Sequence, residues 1–362
     1  MRQQPLIIGA GPAGCAAAIR LCQAGAVPLL LDRTTGPTDK VCGDFLSADT
    51  IGLARSLGVD PCALGAAPID RVRLVHRGHS VEARLPFAAV GLSRRSLDAA
   101  LLERAVTAGA EWRGGTMVRT LTRDGAGWSA DTGRSRHHAD TVILATGKHD
   151  LRGWPRVGRE AGAIGMKMYY RPAAGTADHL RRTVELVLFQ GGYAGLQPVE
   201  DGRLVLCVAI RPAAFRAIGG WDGLLPSIAA SHPPLARLLA QAEPLLLRPL
   251  AVAGVPYGFR ARTTRNGVFR VGDQGAVIPS LTGDGMAIAL WSGAQAAHGV
   301  LENISAPAWQ DRMAQCLDRQ MRLAGLAQTT VLHLPAALSG LRYVMPAVLR
   351  MLARETRILT TA

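Results

Sequence analysis

An α/β fold built on a Rossmann-type dinucleotide-binding unit, with an inserted mixed β-sheet and C-terminal helices, is predicted by three features of this sequence. Residues 5–32 read as strand, glycine turn, helix, strand and acid. A second glycine-rich turn precedes a helix that starts near residue 287. Between the two lie apolar runs of strand length, separated by Gly and Pro turns.

The first unit is the most explicit. Pro5-Leu6-Ile7-Ile8 is a short apolar run that suits a buried parallel strand. It leads into Gly9-Ala10-Gly11-Pro12-Ala13-Gly14 and then into Ala- and Leu-rich residues 15–24 at helical spacing, with Gly25 placed to close the helix. Residues 27–31 form a second apolar run ending in Asp32, 18 residues beyond Gly14. Gly9 permits a tight turn, Gly11 lets backbone approach a pyrophosphate, and Gly14 lets helix and strand pack closely. The helix N-terminus faces the phosphates, and Asp32 can accept ribose hydroxyls. Pro12 fits the first helical position. These residues predict dinucleotide binding and leave FAD and NAD both open.

The middle of the chain reads as strands at 162–170, 183–189 and 204–210, followed by helices at 221–231 and 235–242. The inward face of this sheet is expected to be aliphatic, with Met166, Met168, Tyr169, Tyr170 and Tyr193 available to a cavity. Downstream, residues 267–271 read as a strand. Gly272-Asp273-Gln274-Gly275 and then Pro279-Ser280-Leu281-Thr282-Gly283-Asp284-Gly285-Met286 lead to a helix over 287–300. Glycines before a helix again offer N–H groups to an anion or to polar flavin atoms, and Asp273 can take a ribityl hydroxyl. A nicotinamide-only enzyme has no need of this second turn.

The tail is helical at 309–331 and again at 338–359, where Arg342, Arg350, Arg354 and Arg357 take the polar positions. Such a helix either caps the domain through its apolar face or lies on a membrane surface. No uncharged apolar window is long enough to span a bilayer, and residues 1–5 are too short for the charged region of an export signal. A cytoplasmic location, with peripheral membrane contact through the basic helix, is expected, as is a monomer or dimer.

Composition narrows the classes further. With 362 residues, 48% hydrophobic and 19% charged, the chain is a folded globular protein of one large or two interleaved domains. The six cysteines show no C-x-x-C pair, so neither zinc nor a disulfide framework is predicted. The net charge of +14 is almost all arginine, because Lys occurs only at 40, 148 and 167. Such a bias fits drift in a GC-rich genome, with a basic face for anionic partners as the rival. Nucleic acid is excluded as a partner: aromatics total 5% and do not interleave with clustered Lys/Arg.

Taken together the motifs resemble the FAD-binding fold of p-hydroxybenzoate hydroxylase and its relatives, and within it the geranylgeranyl-reductase-like flavoproteins. That group's G-D-x-x-G, P-x-x-G-[DE]-G-[IM] and A-x-x-x-G-x-x-A-A run is matched by Gly272, Asp273, Pro279, Gly283, Asp284, Gly285, Met286, Ala289, Gly293, Ala296 and Ala297. Its K-x-C-G-x-x-L-S segment is matched by Lys40, Cys42, Gly43, Leu46 and Ser47. Its R-x-x-[FL]-D is matched by Arg94, Leu97 and Asp98, and its A-T-G by Ala145, Thr146 and Gly147.

The resemblance implies FAD as cofactor, with NAD(P)H as a transient electron donor. It implies that Gly9, Gly11, Pro12, Ala13, Gly14, Asp32 and Arg33 hold the ADP half. Arg94 would reach the pyrophosphate or ribose, Asp273 would take the ribityl chain, and the backbone of 283–286 would face the isoalloxazine carbonyls. Lys40, Cys42, Gly43, Ala145 and Gly147 would border the same cofactor. Catalytic candidates are Cys42, Tyr193 and His149, although Cys42 also suits a small buried hydrophobe, Lys40 a solvated loop charge and His149 an exposed loop residue. The implied FAD-binding domain covers 1–75, 90–150 and 266–300, the substrate domain 76–89 and 151–265, and a helical segment 301–362.

Two departures stand out. Thr146 replaces the acid of the A-D-G triplet usual in aromatic hydroxylases. The Y-x-W-x-F-P motif of geranylgeranyl reductases keeps only Tyr193 and Pro198, so substrate identity does not carry over, and the W-x-W-x-I-P of flavin halogenases is missing. The expected activity is reduction of a C=C bond in a lipophilic small molecule by hydride from reduced flavin. The alternatives are an FAD-dependent monooxygenase that hydroxylates or epoxidises an aromatic or polyketide-like substrate using NAD(P)H and oxygen, and a non-catalytic flavin-binding protein.

Overall fold

The computed structural model describes residues 4–158, 162–333 and 345–358. Its helices run, in chain order, α1 (Pro12–Gln23), α2 (Ala48–Ser56), α3 (Arg94–Thr107), α4 (Pro212–Ala217), α5 (Trp221–Ser231), α6 (Pro233–Ala240), α7 (Gly285–Leu301), α8 (Ala306–His333) and α9 (Met345–Glu355).

A five-stranded parallel sheet has the order Val268–Arg270, Val142–Leu144, Leu6–Ile8, Leu29–Leu31, Glu111–Arg113. Its inner strands are apolar at every position because both faces are covered. Ile7, Leu30, Ile143 and Phe269 pack under α1, α3 and α7. Leu6, Ile8, Leu29, Leu31, Val142 and Leu144 face an antiparallel meander of Thr120–Asp124, Gly127–Asp131 and Arg136–Ala139, where Trp128 is buried. That meander has no counterpart in the sequence expectations, and neither does the short α4.

Local chemistry explains how the layers fit. Helix α1 ends in paired bonds from the Gly25 N–H to the Cys22 carbonyl (2.9 Å) and from the Ala26 N–H to the Leu21 carbonyl (3.0 Å). Gly25 at φ +81° makes this reversal possible. Helices α1 and α7 cross so closely that a Cβ on Gly293 would lie 2.0 Å from the Ala13 carbonyl oxygen. The small residues of the A-x-x-x-G-x-x-A-A run therefore have a packing cause.

The second sheet is mixed and nine-stranded: Glu243–Pro244, Ala163–Arg171, Leu204–Ile210, Gly192–Pro198, Thr183–Phe189, Ala67–His76, His79–Gly91 and Phe45–Leu46, with Leu250–Val255 also pairing to Ala163–Arg171. Strands Ala67–His76 and Thr183–Phe189 run parallel and the other pairs antiparallel. The domain boundaries expected at 75/76 and 89/90 fall inside strands of this sheet. The cause is a long hairpin whose two-residue turn, Arg77 at φ +48° and Gly78 at φ +77°, continues both strands without a break. Strand alternation also corrects the expected cavity lining. Met166, Met168 and Tyr170 project to the far face, into a core with α5 and α6, while Gly165, Lys167 and Tyr169 take the opposite face.

Helix α8 packs on α7 and on strand Val268–Arg270, and α9 lies along strand His79–Gly91. Of the expected helix over 338–359, residues 345–355 are helical, while residues 338–344, with Arg342 among them, and residue 359 lie outside the described residues. Among the described residues no helix is long and apolar enough to cross a membrane, and no His/Cys/Asp/Glu group has the makings of a metal site.

Candidate functional site

A cavity of about 830 Å³ runs between the carboxyl ends of the parallel strands and the near face of the mixed sheet. Its size lies within the usual range for small-molecule and cofactor sites.

At one end is the first glycine turn. Gly9, at φ +109°, has room for no side chain, since a Cβ would sit 2.3 Å from the Ala145 carbonyl oxygen. Gly14 is equally constrained, its would-be Cβ lying 1.8 Å from the Gly9 carbonyl oxygen. Both glycines serve the fold, and Gly14 does not itself line the cavity. Gly11 differs: a Cβ there would meet only Arg94 Nη2, at 3.7 Å. The open space at Gly11 faces the cavity at the start of α1, whose first turn has no side-chain cap and whose first residue, Pro12, has no N–H to satisfy. This is a cradle for an anion.

Asp32 serves the scaffold and keeps room for a further partner. Its Oδ2 accepts the Ala10 N–H at 2.8 Å, and its Oδ1 accepts the Thr34 N–H and hydroxyl, each at 2.8 Å. A carboxylate has about four acceptor sites, so one remains on Oδ2 for a ribose hydroxyl. Arg33 and Lys40 border the same end, and burial lowers the Lys40 ammonium pKa. Arg94 opens α3 and reaches back beside Gly11 while its guanidinium grips Asp98 in a fork of 2.8 and 2.7 Å. Burial opposes the Arg94 charge, yet Asp98 prevails and holds the group more basic than usual. Its orientation toward the cradle is thereby set before any ligand arrives.

The next sector joins the A-T-G turn to the second glycine segment. Lys148 Nζ donates to Asp273 Oδ2 at 3.2 Å, and this acid raises the lysine pKa. Gln274 Nε2 donates to the carbonyls of Gly147 (2.8 Å) and His149 (3.0 Å), and Arg156 bridges the Lys148 and Asp273 carbonyls. Ala145, Gly147, His149, Gly272 and Asp273 all line the cavity, with the carbonyl of His149 engaged in the turn. Gly283, Gly285 and Met286 line it as well, at the uncapped start of α7.

Pro279 and Asp284 do not line the cavity. The buried Pro279 carbonyl accepts the Thr282 hydroxyl at 3.1 Å. The fully buried Asp284 carboxylate turns away to Arg357, which also donates to the Thr282 carbonyl at 3.0 Å. Burial pushes the Asp284 carboxyl up to about 7, against the opposing pull of Arg357.

The far end is apolar. Leu74, Leu186, Gly195 and Ala209 of the mixed sheet face Leu281, Leu323 and Leu326 of the opposite wall, with Leu349 and Ala353 of α9 beside them. Cys42 and Gly43 line the passage between the two ends, and the neighbouring Cys207 thiol is pushed up to about 12 by burial. Tyr193 sits at the junction, bonded to Ser280.

Sequence reasoning missed Asp44, Lys167, Tyr257, Ser280 and Arg357 as participants. Asp44 Oδ2 accepts both Lys167 Nζ and the Tyr169 hydroxyl at 2.6 Å, all three groups being buried. One compositional signal was available: in a chain whose cations are otherwise Arg, Lys40 and Lys148 line the cavity and Lys167 lies directly beneath it.

With this geometry in place, comparison with known proteins is informative. The family model described as the FAD binding domain matches residues 2–146. The digeranylgeranylglycerophospholipid reductase 2 of Methanopyrus kandleri is 28% identical over 318 residues, covering 83% of this chain and 77% of that protein. The menaquinone reductase of Mycolicibacterium smegmatis is 24% identical, covering 82% and 76%. Among solved structures, the flavin-dependent brominase Bmp2 superposes with a TM-score of 0.80 at 19% identity, covering 98% of this chain and 93% of that one. A geranylgeranyl bacteriochlorophyll reductase-like protein from Thermoplasma acidophilum gives 0.73 at 17% identity, covering 99% and 93%. These two likenesses describe the fold.

Proposed function

We propose that this chain is an FAD-dependent oxidoreductase of the geranylgeranyl-reductase-like group and that it reduces a C=C bond in a polyprenyl-type lipophilic molecule. The observation that carries this reading is the continuity of one cavity from the Gly11 cradle to the aliphatic wall of Leu74, Leu186, Ala209, Leu326 and Leu349. The named reductases of lipid and quinone substrates, each matching about four-fifths of the chain, support it further.

Bound FAD would supply hydride chemistry at its ring. The chain's own groups bind and orient. Amides at the start of α1 and the Arg94 guanidinium would take the pyrophosphate, the free site on Asp32 a ribose hydroxyl, and Asp273, steadied by Lys148, the ribityl chain. The uncapped first turn of α7 would present N–H groups to the ring carbonyls. The aliphatic wall would hold the polyprenyl chain and keep water from the reacting bond. A nicotinamide nucleotide is the proposed electron donor, and the apolar substrate is proposed to reach the mouth near Leu326 from a lipid surface.

An anaerobic rapid-mixing experiment tests the reading. Reduced protein is expected to be reoxidised by a polyprenyl quinone or a geranylgeranyl lipid without oxygen, yielding the saturated product. Oxygen-dependent formation of a hydroxylated or epoxidised product, with no anaerobic reoxidation, would instead establish the monooxygenase. Flavin bound without turnover on either arm would leave a binding protein.

A further inference from the structure

Three hydroxyls from three separate elements meet where the cofactor end of the cavity joins its apolar end. Tyr193 belongs to strand Gly192–Pro198, Tyr257 follows strand Leu250–Val255, and Ser280 lies in the turn before α7. Both tyrosine hydroxyls bond Ser280 Oγ, that of Tyr257 at 2.7 Å, and all three residues line the cavity. Tyr193 packs among Leu74, Leu188, Ala209 and Leu281 on the apolar side. Tyr257 stands within the field of Lys148 and Asp273 on the cofactor side. Burial raises the Tyr257 phenol to about 12 and the Tyr193 phenol well above its ordinary value, so both hold their protons near neutral pH.

Proton counting gives the cluster a direction. Three hydroxyls carry three protons, and two oxygen–oxygen contacts use two of them. Among the described residues the three oxygens have no other hydrogen-bond partner. One O–H bond is therefore always left over, and whichever residue holds it, that residue lines the cavity. A purely structural tie between sheet and turn would need only one of these contacts.

We propose that the Tyr193–Ser280–Tyr257 hydroxyl cluster is the proton source for saturation of the double bond, a proposal that rests on the reductase reading above. The balance is that of a two-electron reduction. A hydride equivalent drawn from the reduced flavin, which is thereby oxidised, brings an electron pair to one alkene carbon. The former π pair then takes the proton of the spare O–H at the other carbon, and the oxygen keeps the pair of the broken O–H bond. Proton shifts through Ser280 pass that deficit between the two tyrosines. The field of Lys148 favours the transient negative charge, and a water molecule restores the proton.

The test is anaerobic single turnover of FAD-loaded protein, with geranylgeraniol and a polyprenyl quinone as probes. In deuterated solvent the wild type is expected to slow and to place deuterium at both carbons of each saturated bond, because the reduced flavin's N–H and the cluster's O–H both exchange with solvent. The part of the slowing due to the O–H step is expected to shrink in the tyrosine variants. Tyr257→Phe and Tyr193→Phe, which remove a hydroxyl and keep the ring, are expected to lower the rate of flavin reoxidation by about 10²-fold. Their probe affinity, read from the visible spectrum of the oxidised flavin, is expected to stay at the wild-type value. Ser280→Ala gives the same reading should a tyrosine variant fail to load FAD. Variants that turn over at the wild-type rate, with the wild-type solvent isotope effect, would overturn this proposal and leave the reductase reading standing. A wild-type flavin that neither probe reoxidises would overturn both.

Discussion

Asp284 and Arg357 form a buried ion pair that ties the C-terminal segment to the turn opening α7. The chain thus closes its own cavity wall with residues from near its end, and Thr356 and Arg357 themselves line that wall. The pair is not an unalloyed source of stability, because burial raises the Asp284 carboxyl to about 7 even with Arg357 beside it. In the unfolded chain the carboxyl ionises near its ordinary value of 3.8. Between these values the folded state binds the extra proton, so the contribution of Asp284 is fully present below about pH 4 and is lost as pH rises to about 7. Relative to Asp284→Asn, the wild type should lose stability across that window, by at most about 1.4 kcal/mol per pH unit, and plateau above it. Urea denaturation of both proteins from pH 4 to 8 measures the difference; a constant gap would contradict the assignment.

Glycine substitutions should separate folding from cofactor binding. Gly11→Ala meets no backbone, and the observed φ of −78° is open to alanine. The apoprotein should keep its stability to within about 1 kcal/mol, while FAD retention falls by at least about 10²-fold because the methyl group fills the cradle. Gly9→Ala should instead damage the apoprotein itself, through a 2.3 Å approach to the Ala145 carbonyl at φ +109°. Thermal melts of apoprotein together with flavin absorbance after gel filtration read both effects.

Arg94 and Asp98 should behave as a unit in folding and as individuals in binding. Arg94→Ala leaves a carboxylate that is only 5% exposed without its partner, at a cost of about 3–5 kcal/mol. Adding Asp98→Asn should recover most of that loss, because the uncompensated charge is removed. FAD affinity should not recover, since the guanidinium proposed to hold the pyrophosphate is still missing. A double-mutant cycle in both stability and FAD affinity tests the distinction.

The Asp44–Lys167 pair gives a second cycle. Both side chains are fully buried, and Asp44 adopts φ +57°, unusual for any residue but glycine. Lys167→Met should destabilise by about 3–5 kcal/mol, and Asp44→Asn in the same chain should restore a large part. Chemical denaturation of the two single variants and the double variant measures it. Because Asp44 follows Cys42 and Gly43, the single variant should also loosen the loop that lines the passage between the two ends of the cavity.

The parts of this protein legible in its sequence are those whose partners are near in the chain. The strand runs around residues 6–8 and 29–31, the glycines at 9, 11 and 14 and the acid at 32 act on one another through one helix and two turns. Their spacing alone carries the geometry. Gly25, predicted to end α1, does so through its N–H bond to a carbonyl three positions back, next to an Ala26 N–H bond to one five positions back. The lining role expected of Met166, Met168 and Tyr170 failed for a related reason. Residue type cannot say which face of a sheet covered on both sides a strand residue takes, and only pairing with neighbouring strands decides it.

What the sequence by itself determined is the glycine turn at the start of α1 and the class of fold, because turns, caps and strand periodicity are local physics. Tertiary structure decided the rest of the site. Tyr193 meets Ser280 across 87 residues, Asp44 meets Lys167 across 123, and Asp284 meets Arg357 across 73. No spacing rule links such partners. They are brought together because two sheets must bury their apolar faces, and the polar groups caught between those faces must find one another once water is gone.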